Sequence, residues 1–105
     1  MEIKYRSFSD GVYAYLNGEF DEYSAEYVRS SLDSLLKDLS VNENSKVVLD
    51  FSKVSFMDST GIGVLLGRYN KFLKNSVEIL IQNASGHVDR ILRMTGIYEI
   101  MPKIS

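Results

Sequence analysis

The period of hydrophobic and polar positions changes several times along the chain, and each change marks an element. Val47, Val48, Leu49 and Phe51 form a β-branched and aromatic run, the pattern of a buried strand. Further on, Ile62, Leu65, Leu66, Tyr69, Phe72 and Leu73 recur at three- and four-residue steps, the apolar stripe of an amphipathic helix. Between the two runs, Asp58, Ser59 and Thr60 supply short oxygen side chains just ahead of the helical pattern, which is helix-start chemistry. Residues 46–72 therefore predict strand, loop and helix, and the rest of the chain is arranged around them.

Upstream, residues 2–8 and 11–16 are short β-rich segments, and Ser9-Asp10-Gly11 between them is a turn signal, so a hairpin is predicted. Asn17-Gly18 is expected to end the second strand. Glu19 to Glu22 reads as an acidic loop before a first helix, which runs from Tyr23 or Ser24 to Leu39. Val28, Leu32, Leu35, Leu36 and Leu39 form the buried stripe of that helix. Ser40 to Ser45 reads as a polar linker. Downstream, Lys74-Asn75-Ser76 breaks the central helix and Val77 to Ile81 is another β-prone run. Asn83 to Gly86 opens a third helix with Val88, Ile91 and Leu92 inward, and Thr95-Gly96 stops it. Ile97 to Ile104 is expected to be a short final strand or extended tail, which Pro102 confines to a sheet edge. Alternating strands and helices over the last two-thirds of the chain predict an α/β fold, a mixed sheet with helices packed on it.

Composition narrows the function classes. At 105 residues the chain fits one domain, residues 1–105, with one modest core. Hydrophobic residues at 45% and charged residues at 25% are ordinary for a soluble globular protein. The net charge of -2, with no Lys/Arg stripe, argues against nucleic acid as a direct partner. There is no cysteine, so neither a disulfide framework nor a thiolate metal site exists. No apolar run approaches the roughly 18–20 residues of a membrane span, and the N-terminus has no signal-peptide core.

Three groups of residues carry candidate chemistry. Ser59 lies where backbone N–H groups lack helical partners and the helix dipole adds positive charge. A hydroxyl there either caps the helix or accepts a phosphate, since helix N-termini stabilise anions. Gly61, Gly63 and Gly67 hint at a dinucleotide fingerprint, but the third glycine comes one residue late. Gly63 and Gly67 also lie one helical turn apart, so the preferred reading is that they let the helix approach its neighbours closely. His87 is the single histidine. A Ser59–His87 hydrolase with Asp58 or Asp21 as third member lacks the G-x-S-x-G elbow around its serine. One histidine and scattered carboxylates do not make metal-ligand spacing either. Arg68 reads as a solvated charge on the central helix.

The run from Phe56 to Tyr69, FMDSTGIGVLLGRY, resembles the signature of the STAS family of anti-sigma factor antagonists. LNGEFDEYSAE from Leu16 to Glu26 is similar to that family's segment before the first helix, and RILRMTGIYEI to its segment near the C-terminus. Leu66-Gly67-Arg68-Tyr69 is most like the sporulation branch, whereas Thr60 is closer to the general-stress branch. The resemblance implies a small four- to five-stranded sheet with helices to one side. It implies a cytoplasmic, non-enzymatic bacterial regulator without cofactor or metal. In its unphosphorylated form such a protein binds an anti-sigma factor, itself a serine kinase, and frees a sigma factor. The kinase phosphorylates the position matching Ser59, and a PP2C-type serine phosphatase reverses this. Asp21 matches an acidic residue lying close to that serine. Partner contacts are expected at Asp21, Asp58, Ser59, Thr60, Gly61, Ile62, Gly63, Gly67 and Arg68. A STAS module of another assembly, general-stress or stressosome-like, is the alternative. Sporulation antagonists carry a further helix after the last strand, whereas this sequence stops at Ser105.

Overall fold

The computed structural model describes residues 1–39 and 46–105, so the expected linker over 40–45 lies outside the described residues. Strands β1 (Glu2–Phe8) and β2 (Gly11–Phe20) form the predicted hairpin, paired antiparallel from Glu2 with Asn17 to Phe8 with Gly11. Gly11 is required at the turn. Its φ is +149°, and an added Cβ would stand 2.4 Å from the Lys46 carbonyl oxygen. Helix α1 (Ala25–Leu39) then returns the chain to β3 (Lys46–Met57), which lies parallel to β2. Helix α2 (Ser59–Lys74) leads to β4 (Glu78–Gln82), parallel to β3 on its other side. The mixed sheet has four strands in the order β1-β2-β3-β4. Helices α3 (Gly86–Met94) and α4 (Ile97–Ile100) complete the chain.

All four helices share one core. Ala14 and Leu16 of β2, Val47, Leu49 and Phe51 of β3 and Ile79 and Ile81 of β4 point to the same side of the sheet. Against them pack Val28 and Leu32 of α1, Leu65 and Phe72 of α2, Val88 and Leu92 of α3 and Ile97 of α4. The helices therefore cover one face. The intervening residues, among them Tyr13, Tyr15, Val48 and Asp50, point to the opposite face.

Four expectations change. Strand β2 does not stop at Asn17-Gly18 but continues to Phe20. Register shifts on either side of that dipeptide absorb the irregularity, and pairing resumes as Glu19 with Phe56 and Phe20 with Met57. Burial of the Phe20 ring accounts for the extension, so Glu19 and Phe20 belong to a strand and not to a loop. The segment after Gly96 is not a strand from Ile97 onward. Gly96 takes φ of +82° and starts the short helix α4, because Ile97 and Met101, one turn apart, are both fully buried. Strand-like pairing begins only after it, where Ile81 donates to the Pro102 carbonyl and Ile104 donates to the Ile81 carbonyl. Along α2, Leu66 and Leu73 are 43% and 59% exposed. They lie seven residues apart on the flank of the stripe, which the neighbouring elements leave open. In α1 and α3, Leu35 and Ile91 are half-buried at the margin of the core.

Arg68 is the fourth change. It is 8% exposed, inside the seam between α1 and α2. Its Nε stands 3.1 Å from Asp33 Oδ1, and Lys71 Nζ stands 3.3 Å from Asp33 Oδ2. The Arg68–Asp33 contact is ionic, without hydrogen-bond geometry. A buried guanidinium needs a nearby counter-charge, and Asp33 supplies it.

Candidate functional site

The candidate site forms where β2 and β3 end side by side and α2 begins. Phe20 and Met57 are register partners, and the Asp58 N–H donates to the Phe20 carbonyl at 3.4 Å. Asp21 and Asp58 are thus the next residues out of two adjacent parallel strands. Gly61 is the close-approach glycine of the motif: an added Cβ would lie 2.9 Å from the Phe20 carbonyl oxygen and against the Phe20 ring. Gly63 and Gly67 do the opposite of what their spacing predicts. A Cβ at either would meet nothing within 4 Å among the described residues, so neither packs the helix against a described neighbour.

Asp58, and not Ser59, caps the helix. Its backbone is extended, and its Oδ1 accepts from the N–H groups of Thr60 at 3.0 Å and Gly61 at 3.3 Å. Its carbonyl accepts the first helical bond, from Ile62 at 3.2 Å. Ser59 is left as the first helical residue, exposed, with its hydroxyl in no hydrogen bond among the described residues. Thr60, also exposed, follows it.

Asp21 caps the neighbouring turn. Its Oδ1 accepts from Tyr23 N–H at 2.9 Å and Ser24 N–H at 3.2 Å, while the buried Ser24 hydroxyl donates to the Glu19 carbonyl at 2.8 Å. The structure therefore brings Asp21, Asp58, Ser59 and Thr60 to one corner. Gly63 and Gly67 continue from it along the outward face of α2, with Leu66 between them. Gly61, Ile62 and Arg68 point inward and leave that outward set.

Leu66 is the residue that sequence reasoning missed at this face. The signal was its place one residue after Leu65, about 100° round the helix from the core line. The His87 ring stacks on Phe56 with centroids 5.7 Å apart, and it makes no hydrogen bond to Ser59 among the described residues. The Ser–His–Asp constellation is therefore not assembled. Among the described residues no group of three His, Cys, Asp or Glu could hold a metal ion, and no helix is long and apolar enough to cross a membrane.

This arrangement matches known proteins over nearly its whole length. The STAS domain family matches residues 7–105. The anti-sigma F factor antagonist of Paenibacillus polymyxa is 33% identical over 87 residues, covering 83% of this chain and 72% of that protein. The anti-sigma-B factor antagonist of Listeria monocytogenes serovar 1/2a is 31% identical over 101 residues, covering 96% and 84%. Among solved structures, the anti-sigma factor antagonist SpoIIAA in its unphosphorylated form superposes with a TM-score of 0.78 at 22% identity, over 99% of this chain and 89% of that one. The chain belongs to the STAS domain family.

Proposed function

We propose that the protein is an anti-sigma factor antagonist whose docking to an anti-sigma factor serine kinase is switched off by phosphorylation of Ser59. One observation carries this reading: the cap of α2 is provided by Asp58, which leaves the Ser59 hydroxyl exposed and without a hydrogen bond among the described residues. The relatives named anti-sigma F and anti-sigma-B factor antagonists support the class of partner. The unphosphorylated state named for SpoIIAA supports the kind of switch.

The physics of the switch is local. A phosphate adds about 1.5 to 2 negative charges at neutral pH. It would stand beside the Asp58 carboxylate, which already holds two of the helix's free N–H groups. Its charge is therefore only partly compensated, and a surface that accepts a neutral hydroxyl meets bulk, charge and bound water instead. About 1.4 kcal/mol weakens binding tenfold, so a few kcal/mol switches docking. The outward face of α2, from Ser59 through Gly63 to Leu66 and Gly67, is the docking surface in this reading. Asp21, Asp58 and Thr60 form its rim. A PP2C-type phosphatase restores the hydroxyl. The protein acts as a regulator rather than an enzyme, in the cytoplasm.

The test is incubation with the anti-sigma kinase and ATP, followed by mass spectrometry. Phosphate is expected on Ser59; phosphate on Thr60, or on neither, refutes the assignment. Ser59→Ala is expected to keep binding and to escape phosphorylation. Ser59→Glu is expected to fold normally and bind about tenfold or more weakly. Because both branches are represented among the relatives, the pull-down uses an anti-sigma F and an anti-sigma-B kinase side by side. Esterase activity lost in Ser59→Ala would support the hydrolase reading instead.

A further inference from the structure

The face of the sheet that no helix covers holds a groove of about 590 Å³ running across β1, β2 and β3. Lys4, Arg6 and Lys53 line it, and none of the three has an ion pair among the described residues. Two carboxylates share the groove, Glu2 at its rim and Asp50 on its floor. Asp50 is 4% exposed and fully engaged elsewhere. Its Oδ1 accepts from the Ser52 N–H at 2.9 Å and the Ser52 hydroxyl at 2.6 Å. Its Oδ2 accepts from Gln82 at 2.9 Å and Asn83 at 3.0 Å. Those four neutral donors hold the carboxylate on the β4 side, away from direct contact with Lys4, Arg6 and Lys53. Its charge remains, so the three cations outnumber the two carboxylates and leave the groove net positive.

Protection of a sheet edge explains Lys and Arg on β1, since charges on an edge strand discourage pairing with another chain. It does not explain Lys53, which stands on an inner strand. One of the cations, Arg6, also joins a row of aromatic rings that ends at the groove. Arg6 lies 5.5 Å over the Phe8 ring, Phe8 meets Tyr13 edge-on at 5.0 Å, and Tyr13 stacks on Tyr15 at 6.5 Å. Tyr15 lines the groove, and its hydroxyl makes no hydrogen bond among the described residues. A concave site of this volume, with an aromatic wall and a few convergent polar groups, has the dimensions of a small-molecule pocket.

We propose that this groove binds a small, soluble, multiply charged anion of the organic phosphate type, held by Lys4, Arg6 and Lys53 with Tyr15 beneath it. The groove's lining includes no residue of α2, and the proposal stands independently of the antagonist reading. Guanidinium and ammonium groups give phosphate its strongest protein contacts, so the affinity rests on these three side chains.

The experiment is an amide-resolved NMR titration of the full chain with inorganic pyrophosphate. Saturable shifts are expected at Lys4, Arg6, Tyr15, Ser52 and Lys53, with Ser59 and Thr60 unmoved. Arg6→Gln with Lys53→Gln is expected to weaken that binding about tenfold or more. Both residues are exposed, so the thermal unfolding midpoint should stay unchanged. Lys4→Gln alone gives a second, milder loss. Shifts spread over every surface Lys and Arg, shifts centred on the start of α2, or undiminished binding in the double variant would each overturn the proposal. So would sedimentation with vesicles of phosphatidylglycerol and phosphatidylcholine while free pyrophosphate leaves the groove unperturbed, because that result would make the face a membrane surface.

Discussion

On the inward side of α2, Gly61 presses against the Phe20 carbonyl, Leu65 and Phe72 are fully buried and Arg68 sits against Asp33. On the outward side, a Cβ added at Gly63 or Gly67 would meet nothing within 4 Å among the described residues, Leu66 is 43% exposed and the exposed Ser59 hydroxyl makes no hydrogen bond among them. The two sides use the same residue types for opposite purposes. Glycine is a steric necessity at Gly61 and a bare stretch of backbone at Gly63. Leucine is core at Leu65 and open surface at Leu66. A glycine costs about 1 kcal/mol against alanine inside a helix. At Gly61 close packing with β2 offsets that cost; at Gly63 and Gly67 nothing among the described residues does. The outward face therefore carries a helix-propensity cost that no packing among the described residues offsets.

The sharpest loss should come from the inward side. Leu65→Ala removes a fully buried side chain between α2 and the sheet, and about 3 kcal/mol of stability is expected to go with it. Urea denaturation followed by circular dichroism measures it. Gly61→Ala comes next. Its new methyl would stand 2.9 Å from a backbone oxygen, so β2 or α2 must shift, at about 2 kcal/mol. A neutral outcome at Gly61 would mean that the two faces are not distinguished by packing after all.

Arg68 decides whether the boundary between the faces is drawn correctly. Arg68→Met keeps the stem and removes the charge, leaving Asp33 with Lys71 alone. About 2 kcal/mol of destabilisation is expected, less than for a fully buried pair because Asp33 remains partly exposed and keeps one cation. Adding Asp33→Leu should recover most of it, since replacing both members of an ion pair by apolar groups is close to neutral. If Arg68→Met left the unfolding midpoint in place and abolished binding to the anti-sigma factor, Arg68 would belong to the outward set.

What was legible follows from the same division. The buried strand Val47–Phe51 and the stripe Ile62–Leu65–Phe72 were readable because the core face of that strand (Val47, Leu49, Phe51), with Val48 behind it, and one line of that helix are apolar by composition. The helix start was readable from Asp58-Ser59-Thr60, although adjacent oxygen side chains do not tell which one caps; backbone geometry gives that role to Asp58. Leu66 was misplaced because three- and four-residue steps define a line on a helix but not its width; Arg68, three residues after Leu65 and four before Phe72, was misplaced because its charge was read as solvated. How far the covered zone extends depends on where α1 crosses, a tertiary fact. The extension of β2 through Asn17-Gly18 was hidden likewise, because a turn dipeptide and a bulge look alike until the partner strand is known. The one-turn helix α4 was hidden because four residues carry too little periodicity to outweigh the β-branched residues around them.

The smallest expected effect is the most informative. Gly63→Ala adds a methyl that touches nothing among the described residues, so only helix propensity changes, and stability should rise by about 1 kcal/mol. Binding should move the other way, because a partner that approaches bare backbone at Gly63 meets the new methyl first. Urea denaturation and a calorimetric titration with the anti-sigma factor, run on the same preparation, give both signs. A gain in stability with undiminished binding would show that the outward face of α2 is merely solvated, and would move the docking surface to the corner formed by Asp21, Asp58 and Ser59. A loss of stability would mean that the methyl does meet a neighbour, and that the outward face is packed like the inward one.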